Sequence, residues 1–185
     1  MSSLAHSLVN LPEFLRLPER PEGAKRYELH DGEVVVVPPA RPIHIKLQKH
    51  IERLLEELAA DRGVVTIEFP YRPVPNLQYW FADVAYIPQA DWDALPPNEY
   101  PVYAPPLIVE VLSPSNTPAK TNRQRIVAMS AGTQEFWVVD ADERTVQVTD
   151  LSGTKRYVVG DTIQVGVFDG RILAVNGIFI SADPA

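Results

Sequence analysis

At 185 residues the chain has room for one domain with a substantial core. Its 45% hydrophobic and 22% charged content excludes a disordered or fibrous protein, and the lack of cysteine excludes disulfides and thiolate metal sites. A net charge of −7 argues against a protein that coats nucleic acid but leaves room for a local basic groove.

The N-terminal MSSLAHSLVNLPEF lacks the basic start and long apolar segment of a signal peptide. No later stretch approaches the roughly 20 apolar residues that span a bilayer, so no membrane partner is expected and the expected location is the cytoplasm. Asn10 before LPEFLRL reads as the cap of a short helix. RYELH and EVVVVP flank Asp31-Gly32, a pair suited to a tight turn with positive φ, so residues 25–38 read as a β-hairpin with Glu28 in its first strand. Pro42 starts a helix to about Asp61, on which Leu47, Ile51, Leu54, Leu55 and Leu58 follow a 3.6-residue period; Gly63 is the expected stop. His44 falls near the edge of that apolar stripe and points inward.

Residues 64–69 and the segment YRPVPNLQYWFADVAYIP read as strand, turn and strand, with Asn76 in the turn and Pro70, Pro73 and Pro75 marking a sheet edge. ADWDALPPNEYPVYAPP reads as a long connection with a short helical turn anchored by Trp92 and Leu95. LIVEVL, an SPSN turn, a helix from about Ala119 to Ala131 ended by Gly132, and EFWVVD then form a parallel βαβ crossover, which places the Glu110 strand centrally. TVQVTD, TKRYVVG and TIQVGVF alternate apolar with polar residues and read as antiparallel strands with one wet face. The fold class is α/β: a central mixed sheet flanked by helices near 42–61 and 119–131, with antiparallel hairpins at both ends. Trp80, Trp92 and Tyr103 read as exposed aromatics beside proline-rich edges, which makes self-association into a homo-oligomer an expectation.

Two acids interrupt apolar strands: Asp83 in WFADVAYI and Glu110 in PPLIVEVLSPSN. A carboxylate there is costly without a cation or dense hydrogen bonding. Arginines such as Arg26 and Arg72 are one source of compensation. A hard divalent cation held between neighbouring strands, with the Val111 carbonyl as a third ligand, is the other. Lys120, Arg123 and Arg125 concentrate positive charge just after the second acid.

An acid in "AD" on one strand, an acid in "EVLSPSN" on the next, a helix, and "GTQEFWVVD" together resemble the Uma-two family. Those restriction-endonuclease-like proteins, abundant in bacteria, belong to the PD-(D/E)xK nuclease superfamily. The resemblance runs from YELHDGEVVV at residues 27–36, through His44 and FADVAYIP, to Asp140. It implies a restriction-endonuclease-like sheet and hydrolysis of DNA with Mg²⁺ or Mn²⁺ held by Asp83 and Glu110. It also implies site roles for Glu28 and His44. The superfamily lysine falls at Leu112, and the helical lysine that replaces it in the family falls at Gln124. Lys120, one turn earlier on the same helix face, is the candidate to replace that ammonium. The alternative is a catalytically degenerate module that keeps the fold and binds nucleic acid or a protein without cleaving.

Overall fold

The computed structural model describes residues 8–17, 26–113 and 117–179. A six-stranded mixed sheet in the order β3-β4-β5-β6-β7-β8 carries the fold. Its strands are β3 (Gly63–Tyr71), β4 (Trp80–Pro88), β5 (Leu107–Val111), β6 (Glu135–Asp140), β7 (Thr145–Asp150) and β8 (Gly153–Val158). The pair β5–β6 is parallel and the others are antiparallel, so the expected crossover is present and β5 is interior. The SPSN turn lies mostly outside the described residues.

Each sheet face is covered by a different layer. Helix α2 (Pro42–Ala59) lays Leu47, Ile51 and Leu55 against Val84, Val109, Val111 and Trp137. That layer continues into an antiparallel pair, β9 (Thr162–Val165) with β10 (Arg171–Ala174), and helix α5 (Val175–Ile178). On the other face, helix α4 (Pro118–Ser130) packs Val127 and Ala128 with Ala85, Ile108 and Phe136. The alternation of β5 therefore sends Val109 toward α2 and Ile108, with Glu110, toward α4.

A hairpin of β1 (Arg26–His30) and β2 (Glu33–Val37) lies outside the main sheet. Asp31 and Gly32 both have positive φ, as the tight turn requires. Reciprocal backbone hydrogen bonds between Leu29 and Tyr79 tie the hairpin to the segment entering β4. Helix α1 (Leu11–Phe14), closed by a capping box on Asn10, seals the junction with Leu11 and Phe14 against Leu29 and Tyr79.

Several expectations need correction. Helix α2 ends at Ala60, whose φ of 53° breaks the helix before Gly63. Gly63 instead opens β3, where an added Cβ would lie 2.2 Å from the Ile87 carbonyl oxygen and 2.8 Å from Pro88 Cα. Gly63→Ala is expected to force the two strands apart and cost about 1–3 kcal/mol, measurable as a lowered urea midpoint. Residues 71–75 do not form a separate edge strand: Tyr71 ends β3, itself the edge of the sheet. The expected helical turn is the short helix α3 (Gln89–Ala94), in which Trp92 is exposed on one side and has its ring centroid 6.4 Å from that of Phe69 on the other. Trp80 is fully buried, its ring packed edge-on to Tyr71, so it offers no surface for self-association. The wet antiparallel tail divides: β7 and β8 extend the main sheet, whereas β9 leaves it to pair with β10.

Candidate active site

The two acids lie just past the end of the β4–β5 ladder, close enough for Glu110 to feel the charge of Asp83. The ladder of β4 and β5 ends at Val84 with Val109, and Asp83 and Glu110 are the next residues along each strand. Asp83 is 7% exposed and Glu110 4%, so both carboxylates are withdrawn from water. Their environments nevertheless differ sharply.

Asp83 is satisfied. Its Oδ2 accepts the Val111 backbone N–H at 2.7 Å, and its Oδ1 accepts the Gln48 amide at 2.8 Å. His44 Nε2 approaches the same Oδ1 at 3.2 Å. Gln48 and His44 lie one turn apart on α2, so a single helix face presents both to the acid. The second Gln48 amide proton goes to Glu68 Oε1 at 2.7 Å. Glu68 stands opposite Asp83 on β3 with a φ of 54°, and it interrupts a ladder otherwise regular from Gly63 to Tyr71. A non-glycine residue in the left-handed region inside a strand is strained, and such strain concentrates at functional sites.

Glu110 is not satisfied. Its Oε1 is buried without a hydrogen-bond partner among the described residues. Burial pushes its carboxyl well above the usual carboxylate range, and the charges of Asp83 and Glu28 push the same way against a smaller opposing pull from Lys120 and Arg26.

Glu28 completes the acid cluster from the hairpin. Alternation along β1 puts Arg26, Glu28 and His30 on one face, and all three meet: His30 Nε2 is 2.7 Å from Glu28 Oε2, and Arg26 Nη2 is 3.4 Å from Oε1. Lys120 of α4 reaches Oε2 at 3.4 Å. Burial alone would raise the Glu28 pKa, but the His30 hydrogen bond with Lys120 and Arg26 holds it below the ordinary value. Arg26 also pairs with Glu68. A continuous chain of polar contacts thus runs from Lys120 through Glu28, Arg26, Glu68 and Gln48 to Asp83, spanning α4, β1, β3, α2 and β4.

Neither Asp83 nor Glu110 is paired with an arginine among the described residues. Arg26 serves Glu28 and Glu68, and Arg72 donates to the Tyr100 carbonyl. Gln124 is on the buried face of α4, with Thr121 before it and Val127 and Ala128 after it, and its Oε1 has no hydrogen-bond partner among the described residues. Leu112 continues the backbone of β5 and donates its N–H to Val139.

The donor set fits a hard cation. Glu28, Glu68, Asp83 and Glu110 face two permanent cations, Arg26 and Lys120, so ionising all four acids leaves an excess of two negative charges. A divalent ion would cancel that excess and give Glu110 Oε1 its missing partner. Among the described residues no group of three or more His, Cys, Asp or Glu forms a cage. An ion here would therefore rest on two carboxylates and complete its shell with backbone oxygen and water, as Mg²⁺ commonly does.

A family model described as "Putative restriction endonuclease", Uma2, matches residues 11–176. The chain belongs to the Uma2 family. A solved structure with a similar fold is that of "a putative nuclease belonging to DUF820" from Anabaena variabilis ATCC 29413. It is 22% identical, with a TM-score of 0.77 over 92% of this chain and 97% of that one. No curated protein matches the sequence. The fold brings segments far apart in sequence together: the hairpin, α2, β3, β4, β5 and α4 all contribute polar groups to the cluster. On α4, Lys120 reaches Glu28, and Gln124 is buried on the same helix one turn later.

Sequence reading missed Gln48, Glu68 and His30. Gln48 had a signal, being a polar residue between Leu47 and Ile51 in the buried stripe and one turn from His44. His30 had one too, two residues from Glu28 on a strand. Glu68 had none, because its role depends on cross-strand register.

Proposed function

We propose that this protein is a divalent-metal-dependent endonuclease that hydrolyses DNA phosphodiester bonds in the cytoplasm. Asp83, Glu110 and the Val111 carbonyl hold Mg²⁺ or Mn²⁺. The single observation that carries the reading is Glu110: a buried carboxyl with an unpartnered oxygen beside a second acid, where the pull of Lys120 and Arg26 is outweighed and an added cation would stabilise the carboxylate. When bound, the ion supplies charge stabilisation on the scissile phosphate and activation of water.

The chain's own groups do the positioning. Gln48 and His44 hold Asp83 in one orientation from α2, and Glu28 fixes the Lys120 ammonium beside the acids. Lys120 donates to the phosphate oxygens or to the attacking water. Gln124 Oε1, buried and without a donor, accepts a proton of that water and orients it.

The experiment is cleavage of supercoiled plasmid by purified protein with Mg²⁺, with Mn²⁺ and with chelator. Metal-dependent nicking that disappears in Glu110→Gln supports the reading; nicking that survives in this variant overturns it. A second reading, a module that binds without cutting, is favoured by one feature: Gln124 lacks the charge of the family lysine, and Lys120 is engaged by Glu28. These readings separate in Gln124→Lys. Restoring an ammonium at that position is expected to raise metal-dependent cleavage by about a hundredfold, the usual scale for one acid-base group. No gain in a folded Gln124→Lys protein would favour the binding module.

A further inference from the structure

Beside the acids, between the first turns of α4 and the sheet, lies a cleft of about 480 Å³. Leu112, two residues past Glu110, is among the residues that line it. Pro118 and Arg125 form the helical wall, and Val138, Gln147 and Thr154 form the floor. The floor exists because α4 covers β5 and β6 but not β7 and β8, whose outward residues on this face include Gln147 and Thr154. Register continues the floor in a row from Val138 to Gln147 to Arg156.

Charge sets this cleft apart. In a chain of net charge −7, none of its described lining residues is acidic. The cations of α4 divide accordingly: Lys120 is taken by Glu28 and Arg123 by Asp31, whereas the bond seen for Arg125 is to the neutral Asn122 amide at 2.5 Å. Among the described residues, Arg125 is therefore the α4 cation left to meet an anion from outside. Apolar Leu112, Pro118 and Val138 supply surface for a sugar or base, and Gln147 and Thr154 supply neutral hydrogen-bonding groups. The volume is within the range of small-ligand pockets, about 300–1,000 Å³, which suits a nucleotide and not a duplex.

We infer that this cleft receives a nucleotide of single-stranded or locally unpaired DNA adjoining the scissile phosphate, with its phosphate on Arg125. The inference rests on the nuclease reading and adds the strand form and the side of the site on which the strand leaves. It also accounts for an acidic protein engaging a polyanion: contact is confined to one non-acidic cleft, where a broad basic surface would otherwise be needed.

The test is fluorescence anisotropy with a labelled single-stranded oligothymidylate and a labelled hairpin duplex, with Ca²⁺ replacing Mg²⁺. Arg125→Gln removes the charge, Gln147→Trp fills the cleft, and Arg53→Gln removes an exposed charge on α2, across the sheet. Circular dichroism establishes that each variant is folded; should Gln147→Trp misfold, Arg125→Gln carries the test alone. The expected result is single-strand binding weakened about tenfold in the cleft variants and unchanged in Arg53→Gln. The salt dependence should also fall by about one ion contact in Arg125→Gln. Equal single-strand affinity of folded Arg125→Gln and parent protein overturns the cleft assignment, as does preference of the parent for duplex; neither touches the nuclease reading. Failure of the parent to bind either form overturns both.

Discussion

A Glu110→Gln variant is expected to be more stable than the parent protein in the presence of chelator, by about 1–2 kcal/mol near neutral pH, while losing its divalent-ion affinity. The reason is linkage. Burial and the nearby charges of Asp83 and Glu28 raise the folded-state pKa of Glu110 well above its unfolded value. As pH rises past the unfolded pKa, the unfolded chain releases this proton and the folded chain keeps it. The unfolded state then binds fewer protons, so stability falls with pH by up to about 1.4 kcal/mol per unit until the folded group also ionises. Glutamine removes that slope because it cannot ionise. Urea denaturation with chelator from weakly acidic to neutral pH reads it directly: the parent curve declines and the variant curve is flatter. Mg²⁺ at a hundred times its dissociation constant should return about 2.7 kcal/mol to the parent and nothing to the variant. Parallel pH profiles would sink the assignment of Glu110 as a group destabilised in the empty site.

Most of the architecture is legible in the sequence, because it rests on local signals. The 3.6-residue stripe of α2, the Asp31-Gly32 turn and the apolar runs of β5 and β6 each name an element, and a strand, a helix and a strand in that order impose a parallel crossover. Asp83 and Glu110 are legible as polar residues in apolar strands, and His44 as a residue at a stripe edge. Illegible is whatever depends on register or on three-dimensional crowding. Glu68 looks like any acid on a half-exposed strand until β3 and β4 are aligned, when it falls opposite Asp83. Gly63 looks like a helix terminator, yet its lack of a Cβ is required by the Ile87 carbonyl across the sheet. Trp80 reads as surface because its neighbours include prolines and polar residues, but the hairpin docks over it and brings His30 to 5.5 Å from its ring. The division of labour between the acids is likewise hidden, since nothing in either strand says which will receive the donors.

Asp83→Ala is expected to have the opposite effect, a loss of about 2–4 kcal/mol in the same metal-free protein. Asp83 accepts the Val111 N–H, the Gln48 amide and the His44 ring, which join β5 and α2 to β4. Alanine leaves the Val111 N–H without its acceptor in a strand that is buried along its whole length, and a buried unsatisfied donor costs more than the mean value of a hydrogen bond. Gln48 keeps its bond to Glu68 but loses the other. Asparagine should not rescue the loss. It offers one acceptor oxygen where the site uses two, and its amide would turn donors toward either the Val111 N–H or the Gln48 amide. Asp83→Asn should therefore fall below the parent in urea midpoint, and Asp83→Ala further below; a midpoint for Asp83→Ala equal to that of the parent would refute this structural role. The contrast decides how mutants of this site are read. Inactivity of Asp83→Ala reports the collapse of a hydrogen-bonded strand end as much as the loss of a ligand. Inactivity of Glu110→Gln, in a protein made more stable, reports the chemistry alone.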